Sequence, residues 1–219
     1  MELDMRLAHP ATFLVSGPTG SGKTVFTREL VRRRHELFSK PIHRVIWCHG
    51  VWQKMYCELE KEGVEMRAGV VTPDELNPEE NTLVVFDDLM NSNSDAISEF
   101  FIRGSHHYSA SVIYLCQNMF HQGKGHRGNS LNSHYIVAFK NVRSRQQFGH
   151  LAREIMGRDS KDMIESFEIA TKEPYQYLFI DLRPETPDAL RLRGRILDET
   201  NDVYVPRNCD ISELLVKRA

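Results

Sequence analysis

The stretch from Gly17 to Thr24, reading Gly17, Pro18, Thr19, Gly20, Ser21, Gly22, Lys23 and Thr24, meets the spacing G-x-x-x-x-G-K-[ST]. Glycines at such intervals let the backbone curl until successive N–H groups point inward at phosphate oxygens. Lys23 is then placed to reach the β and γ phosphates of a nucleotide, and the Thr24 hydroxyl to bind Mg²⁺. The octapeptide follows the apolar run Phe13-Leu14-Val15 and opens a helical one, VFTRELVRRRHEL. The positive end of that helix adds to the attraction for anions.

A second chemical stretch is TLVVFDDLM, residues 82–90, an apolar run that ends in two carboxylates. Asp87, at the carboxyl end of a strand, is the expected Mg²⁺ carboxylate. Asp88 is placed to orient or deprotonate an attacking water. The plain alternative is an Asp pair that caps the next helix. A third run, SVIYLCQN, ends in Gln117 and Asn118, and Gln117 could hold the attacking water or sense the γ-phosphate.

Positive charge is concentrated where composition hides it. The chain carries 28 Lys and Arg against 30 Asp and Glu, a formal net charge of −2. Yet from Phe100 to Arg153 there is no carboxylate, while Arg103, Lys124, Arg127, Lys140, Arg143, Arg145 and Arg153 all fall there. Such a block suits DNA phosphates, the nucleotide of a neighbouring subunit, acidic surfaces of neighbours, or simply a solvated basic face. His106-His107 has no carboxylate or cysteine near it in sequence, which argues against a metal pair.

These groups need a scaffold that brings several strand ends together. Apolar runs rich in β-branched residues recur at 11–16, 44–48, 82–87, 111–116, 134–139 and 175–181. Most are continuous rather than alternating, as in strands buried on both faces of a largely parallel sheet. Candidate helices fall between them at 23–38, 51–62, 94–103, 144–156 and 160–171. This alternation predicts a three-layer α/β/α domain over residues 1–184. After residue 184 the sheet-like pattern fades, and 185–219 reads as an appended tail.

With 219 residues, 41% of them apolar, the chain suffices for one substantial core. The N-terminal stretch is too acidic, and its apolar run too short, for a signal peptide. No run approaches the length of a membrane span, so a soluble intracellular protein is expected. Cys48, Cys57, Cys116 and Cys209 form no C-x-x-C, so free thiols in a reducing compartment are expected.

In order, SGPTGSGKT, VVFDDLM, FIRGSHH, SVIYLCQNMFHQGK, SLNSHYIVAFKNVRSRQQ and YQYLFIDLRP resemble the FtsK/HerA-type genome-packaging ATPases of double-stranded DNA viruses and related polinton-like elements. The resemblance spans about residues 10 to 184. It implies a RecA-like P-loop NTPase core of the ASCE type, with an extra strand between the two nucleotide motifs. Its ligands would be ATP and Mg²⁺. It further implies a homo-oligomeric ring that drives double-stranded DNA into a capsid, in the host nucleus or cytoplasm, with a capsid or portal protein as a further partner. Lys23 and Thr24 match the P-loop lysine and hydroxyl, Asp87 the Mg²⁺ carboxylate, Asp88 the catalytic acid position and Gln117 the polar sensor. The family also supplies an arginine to the neighbour's γ-phosphate, and Arg127 is the first candidate, with Arg143 and Arg145 behind it. Many members have Glu where this chain has Asp88, so its role as base is less well matched than the metal role of Asp87.

Rivals are narrowed by missing motifs. A GTPase would need N-K-x-D and an ABC ATPase an LSGGQ-like signature, and neither occurs. A helicase or export ATPase on the same core remains, as does a nucleotide-locked assembly scaffold with little turnover.

Overall fold

The computed structural model describes residues 4–89, 94–101, 108–118 and 132–209. Its centre is a sheet of nine strands among the described residues, in the order β3-β2-β4-β5-β1-β6-β7-β8-β9. The strands are β1 (Thr12–Ser16), β2 (Arg44–His49), β3 (Glu65–Ala68), β4 (Thr82–Asp87), β5 (Ala110–Cys116), β6 (Tyr135–Phe139), β7 (Tyr177–Asp181), β8 (Leu192–Gly194) and β9 (Asp202–Val203). Every pairing from β3 to β6 is parallel. Those from β6 to β9 are antiparallel.

Continuous apolar runs form the middle of the sheet because both of its faces are covered. In β1, Phe13 and Val15 join one core cluster and Leu14 the other. The same division holds in β5, where Ile113 and Leu115 face one way and Val112 and Tyr114 the other. Period-two alternation is thus present in space but invisible as polarity, since neither face meets water.

Helices complete the two outer layers. On one side lie α1 (Lys23–Arg32), the short α2 (Arg34–Leu37) and α3 (Tyr56–Lys61). On the other lie α4 (Ser94–Glu99), α5 (Arg145–Met156) and α6 (Ser160–Ala170). Helix α1 buries Phe26, Thr27, Leu30 and Val31, a single stripe at helical spacing. Arg32 binds Glu58 of α3 and Glu62 just past its end, and so ties the two helices side by side. Phe148 of α5 stacks on Phe167 of α6 with ring centroids 3.9 Å apart.

The expected three-layer α/β/α architecture is observed, and so is the strand between the two nucleotide motifs: β5 lies between β1 and β4. Two expectations need correction. The helix expected over 23–38 stops at Arg32 and resumes as the separate turn α2. The sheet pattern expected to fade after residue 184 continues, because β8 and β9 extend the sheet from β7. A boundary at 184 therefore falls between two hydrogen-bonded strands.

Charged side chains hold that extension. Asp181, 1% exposed, accepts two hydrogen bonds from the Arg183 guanidinium at 3.0 and 2.8 Å and one from the Arg183 amide at 3.1 Å. Arg193 of β8 reaches the same carboxylate at 3.4 Å and lies over the Phe179 ring, 4.6 Å from its centroid. Its other terminal guanidinium nitrogen, Nη1, donates to the Met5 carbonyl at 3.0 Å, fastening the N-terminal segment as well. A strand whose centre is a buried arginine gives no apolar signature, which is why the sequence pattern missed it.

Candidate nucleotide site

Carboxyl ends of β1, β4 and β5 meet at one edge of the sheet, because these strands are parallel and β5 separates the other two. Chain direction changes there through a specific contact: the Gly17 amide donates to the Cys116 carbonyl at the end of β5, 3.2 Å away. Residues 17–22 then turn, with the Ser21 amide bonded to the Pro18 carbonyl at 3.1 Å. Gly22 caps α1 with φ 104°, a left-handed conformation in which any side chain would be strained. No acidic residue occupies the first turn of α1, so the helix itself sets no carboxylate against an anion at its amino end.

Lys23 folds back over this loop. Its ammonium donates to the Gly17 carbonyl at 2.6 Å and the Pro18 carbonyl at 3.1 Å. Burial lowers its pKa, while Cys116, Asp87 and Asp88 pull it back up. The Ser21 hydroxyl is buried in the same loop with no hydrogen-bond partner among the described residues. An ammonium held over the loop and an orphaned hydroxyl within it fit phosphate oxygens.

Asp87 ends β4 and is 4% exposed. Burial raises its pKa and Asp88 adds to the rise, while hydrogen bonds from Tyr56 and Thr24 lower it. The Tyr56 hydroxyl of α3 donates to the Asp87 carboxylate at 2.9 Å. Thr24 and Asp87 form a hard-oxygen donor pair, the kind that suits Mg²⁺.

Asp88 leaves the strand through a left-handed turn, φ 55°, uncommon for a residue with a side chain. Its carbonyl oxygen stands 2.5 Å from where a Cβ on Gly50 would be. Gly50, just past the end of β2, therefore has to be glycine for the chain to turn at Asp88. Register supports this, since His49 of β2 pairs with Asp87.

A cleft of about 970 Å³ joins Thr19, Gly20, Gly22, Lys23 and Thr24 with Asp87, Asp88 and Gln117. Gly17, Pro18 and Ser21 do not line it, although they shape the loop. Gln117 is exposed at the end of β5, between the loop and the acidic pair. Arg143 and Arg145 are exposed beyond β6 and do not line the cleft. Arg127 lies outside the described residues, as do Arg103, Lys124 and His106-His107. Sequence reasoning missed Tyr56 and Gly50. Neither belongs to a motif, and both act through contacts made across more than thirty residues.

No family model matches the chain, and no curated protein matches it. Among solved structures, the genome packaging NTPase B204 from Sulfolobus turreted icosahedral virus 2, in complex with ATP-gammaS, superposes with a TM-score of 0.50 at 13% identity. The alignment covers 90% of this chain and 97% of that one. The fold is that of a P-loop NTPase. The same viral protein in complex with sulfate and with AMPPCP aligns at TM-scores of 0.49 and 0.48, both at 12% identity with 90% and 97% coverage. At such identity the likeness is one of fold, so the roles of individual residues rest on this chain's own geometry.

Proposed function

We propose that this chain is an ATPase that packages a double-stranded DNA genome into a viral capsid. The observation that carries the reading is the convergence of Lys23, Thr24, Asp87, Asp88 and Gln117 on one cleft, with β5 inserted between the strands of the two motifs. That arrangement supports hydrolysis over phosphoryl transfer to a second substrate, because an acidic residue and a polar strand-end residue, both able to hold a water, line the same cleft as the P-loop. The likeness to a genome packaging NTPase supports the packaging role.

In this reading the P-loop amides and Lys23 bind the β and γ phosphates of ATP, and Lys23 exchanges its two carbonyl partners for phosphate oxygens. Thr24 and Asp87 hold Mg²⁺, which when bound supplies positive charge to the phosphate oxygens. Tyr56 orients the Asp87 carboxylate. Asp88 accepts a proton from the attacking water, and Gln117 positions that water. Arg127 of a neighbouring copy would stabilise the charge that develops on the γ-phosphate, which makes a ring the functional form. The basic segment containing Lys140, Arg143 and Arg145, all exposed, would face DNA phosphates irrespective of sequence. A capsid or portal protein is the proposed further partner.

Steady-state ATP hydrolysis with and without duplex DNA tests the proposal. Turnover stimulated by duplex DNA is expected, with Lys23→Ala reducing kcat on the order of 10²–10³-fold. Binding of ATP without turnover, with or without DNA, would replace the motor by an assembly scaffold. Stimulation by single strands alone would favour a helicase.

A further inference from the structure

The cleft extends well past the groups that suit phosphate. Along α1 and away from the loop its walls include Phe26 of α1, Tyr175 and Tyr177 before and within β7, and Leu197 after β8, with Glu29 and Asp198 beside them. A triphosphate has no use for such walls, whereas the flat face of a nucleoside base does.

The two tyrosines differ sharply. Tyr177 is half-buried and packed against the core, edge-on to Phe26 at 4.6 Å and tilted against Phe139 at 5.4 Å. Tyr175 is 72% exposed and stacks on no ring among the described residues. Its backbone is left-handed at φ 66°, a conformation that costs an aromatic residue strain. Its Cβ and Cδ1 stand 3.5 and 3.6 Å from where a Cβ on Gly22 would be, so the ring lies beside the last glycine of the P-loop with no side chain between them. Leu197 is tied to the end of α1, since Arg33, the residue that follows the helix, donates to its carbonyl. An exposed aromatic face is thus held in a strained turn beside the phosphate cradle.

We infer that this end of the cleft is a nucleoside subsite in which the Tyr175 ring stacks on the base of the bound nucleotide. The inference rests on the nucleotide reading above and adds to it the residue that separates a nucleotide from a bare polyphosphate. The segment before β7 and the one after β8 thereby share a site with the P-loop.

Calorimetry on the full chain, with ATP and with inorganic tripolyphosphate, each with Mg²⁺, decides it. Tyr175→Ala should weaken ATP roughly 5- to 100-fold and leave tripolyphosphate unchanged, and Tyr175→Phe should bind both as the unaltered chain does. Tyr175→Gly, which relieves the left-handed backbone, should repeat the Ala result and guards against a folding defect. Equal weakening of both ligands would reduce Tyr175 to a brace for the loop, and unchanged ATP affinity would remove the stacking role. If the unaltered chain bound tripolyphosphate as tightly as ATP, no base subsite would exist. Binding of neither would overturn the nucleotide reading itself.

Discussion

The six parallel strands from β3 to β6 and the antiparallel strands β7, β8 and β9 share one sheet but are held by different chemistry. In the parallel part every residue of β1, β4, β5 and β6 is buried, and each strand consists mainly of apolar side chains packed on two faces. Ser16, Asp87 and Cys116 stand at the carboxyl ends of these strands, next to the residues of the site, while the buried Thr12, Thr82 and Ser111 lie at or near the opposite ends. In the antiparallel part the buried positions include Asp181 and Arg193, which are joined to each other within the layer. One part gathers strand ends at a site, while the other secures a wall of that site with a desolvated ion network. Carboxylates are therefore buried in both for opposite reasons: Asp87 is held available, Asp181 is consumed.

The largest effect expected from that contrast is on stability. Asp181→Ala leaves Arg193, 2% exposed, without its charge partner, and breaking a buried pair of this kind costs about 3–5 kcal/mol. For a chain of this size the melting temperature should drop by roughly 6–20 °C in a thermal scan. An unchanged melting temperature would mean that β8 and β9 add nothing to the cooperative unit. The corresponding change in the parallel part is smaller and different in kind. Tyr56→Phe removes the donor to Asp87, a hydrogen bond to a charged group worth about 1.5–3 kcal/mol. Its expected cost falls on ligand affinity, with half-saturation by Mg²⁺ and ATP rising about tenfold and the melting temperature shifting little. Intrinsic fluorescence reads this directly, because Trp47 and Trp52 lie 5.8 and 5.7 Å from the Tyr56 ring and are the two tryptophans of the chain. Equal affinity in the variant would make the hydroxyl a packing feature only.

How much was legible in the sequence follows the same division. The P-loop could be read because its backbone demands glycines at fixed spacing, and the Asp87 strand because a continuous apolar run is a strong signal. That a strand lies between those of the two nucleotide motifs came from the family resemblance, and that it is β5 came from the structure, since no local pattern states which strands become neighbours. The strand β3 was missed because it is a half-exposed edge strand, Glu65–Ala68, with a single large apolar residue. Strands β8 and β9 were missed because three and two residues carry no period, and because Arg193 reads as surface when its partner Asp181 is twelve positions away. Within the site, Lys23, Asp87 and Asp88 were legible as types in a motif. Tyr56 and Gly50 were not, because their roles exist only once β2 and β4 lie side by side.

The smallest expected effect concerns the cysteines, which report the same contrast without disturbing it. Cys48 and Cys116 alternate with apolar residues in β2 and β5, and burial pushes their thiols up to about 12 and about 11. Cys57 lies on the outer surface of α3 and is exposed. The thiolate is the reactive form, so access and ionisation act in the same direction. With an aromatic disulfide reagent at neutral pH, Cys57 should label in the folded protein while Cys48 and Cys116 stay unreacted until denaturant is added. ATP should leave the Cys57 rate unaltered, since Cys57 does not line the cleft. Cys116 does line it at the end of β5, beside Gln117. Labelling of Cys116 in the folded chain, suppressed by ATP, would show that the strand ends open toward solvent and that the parallel part is less rigid at its site than its buried strands imply.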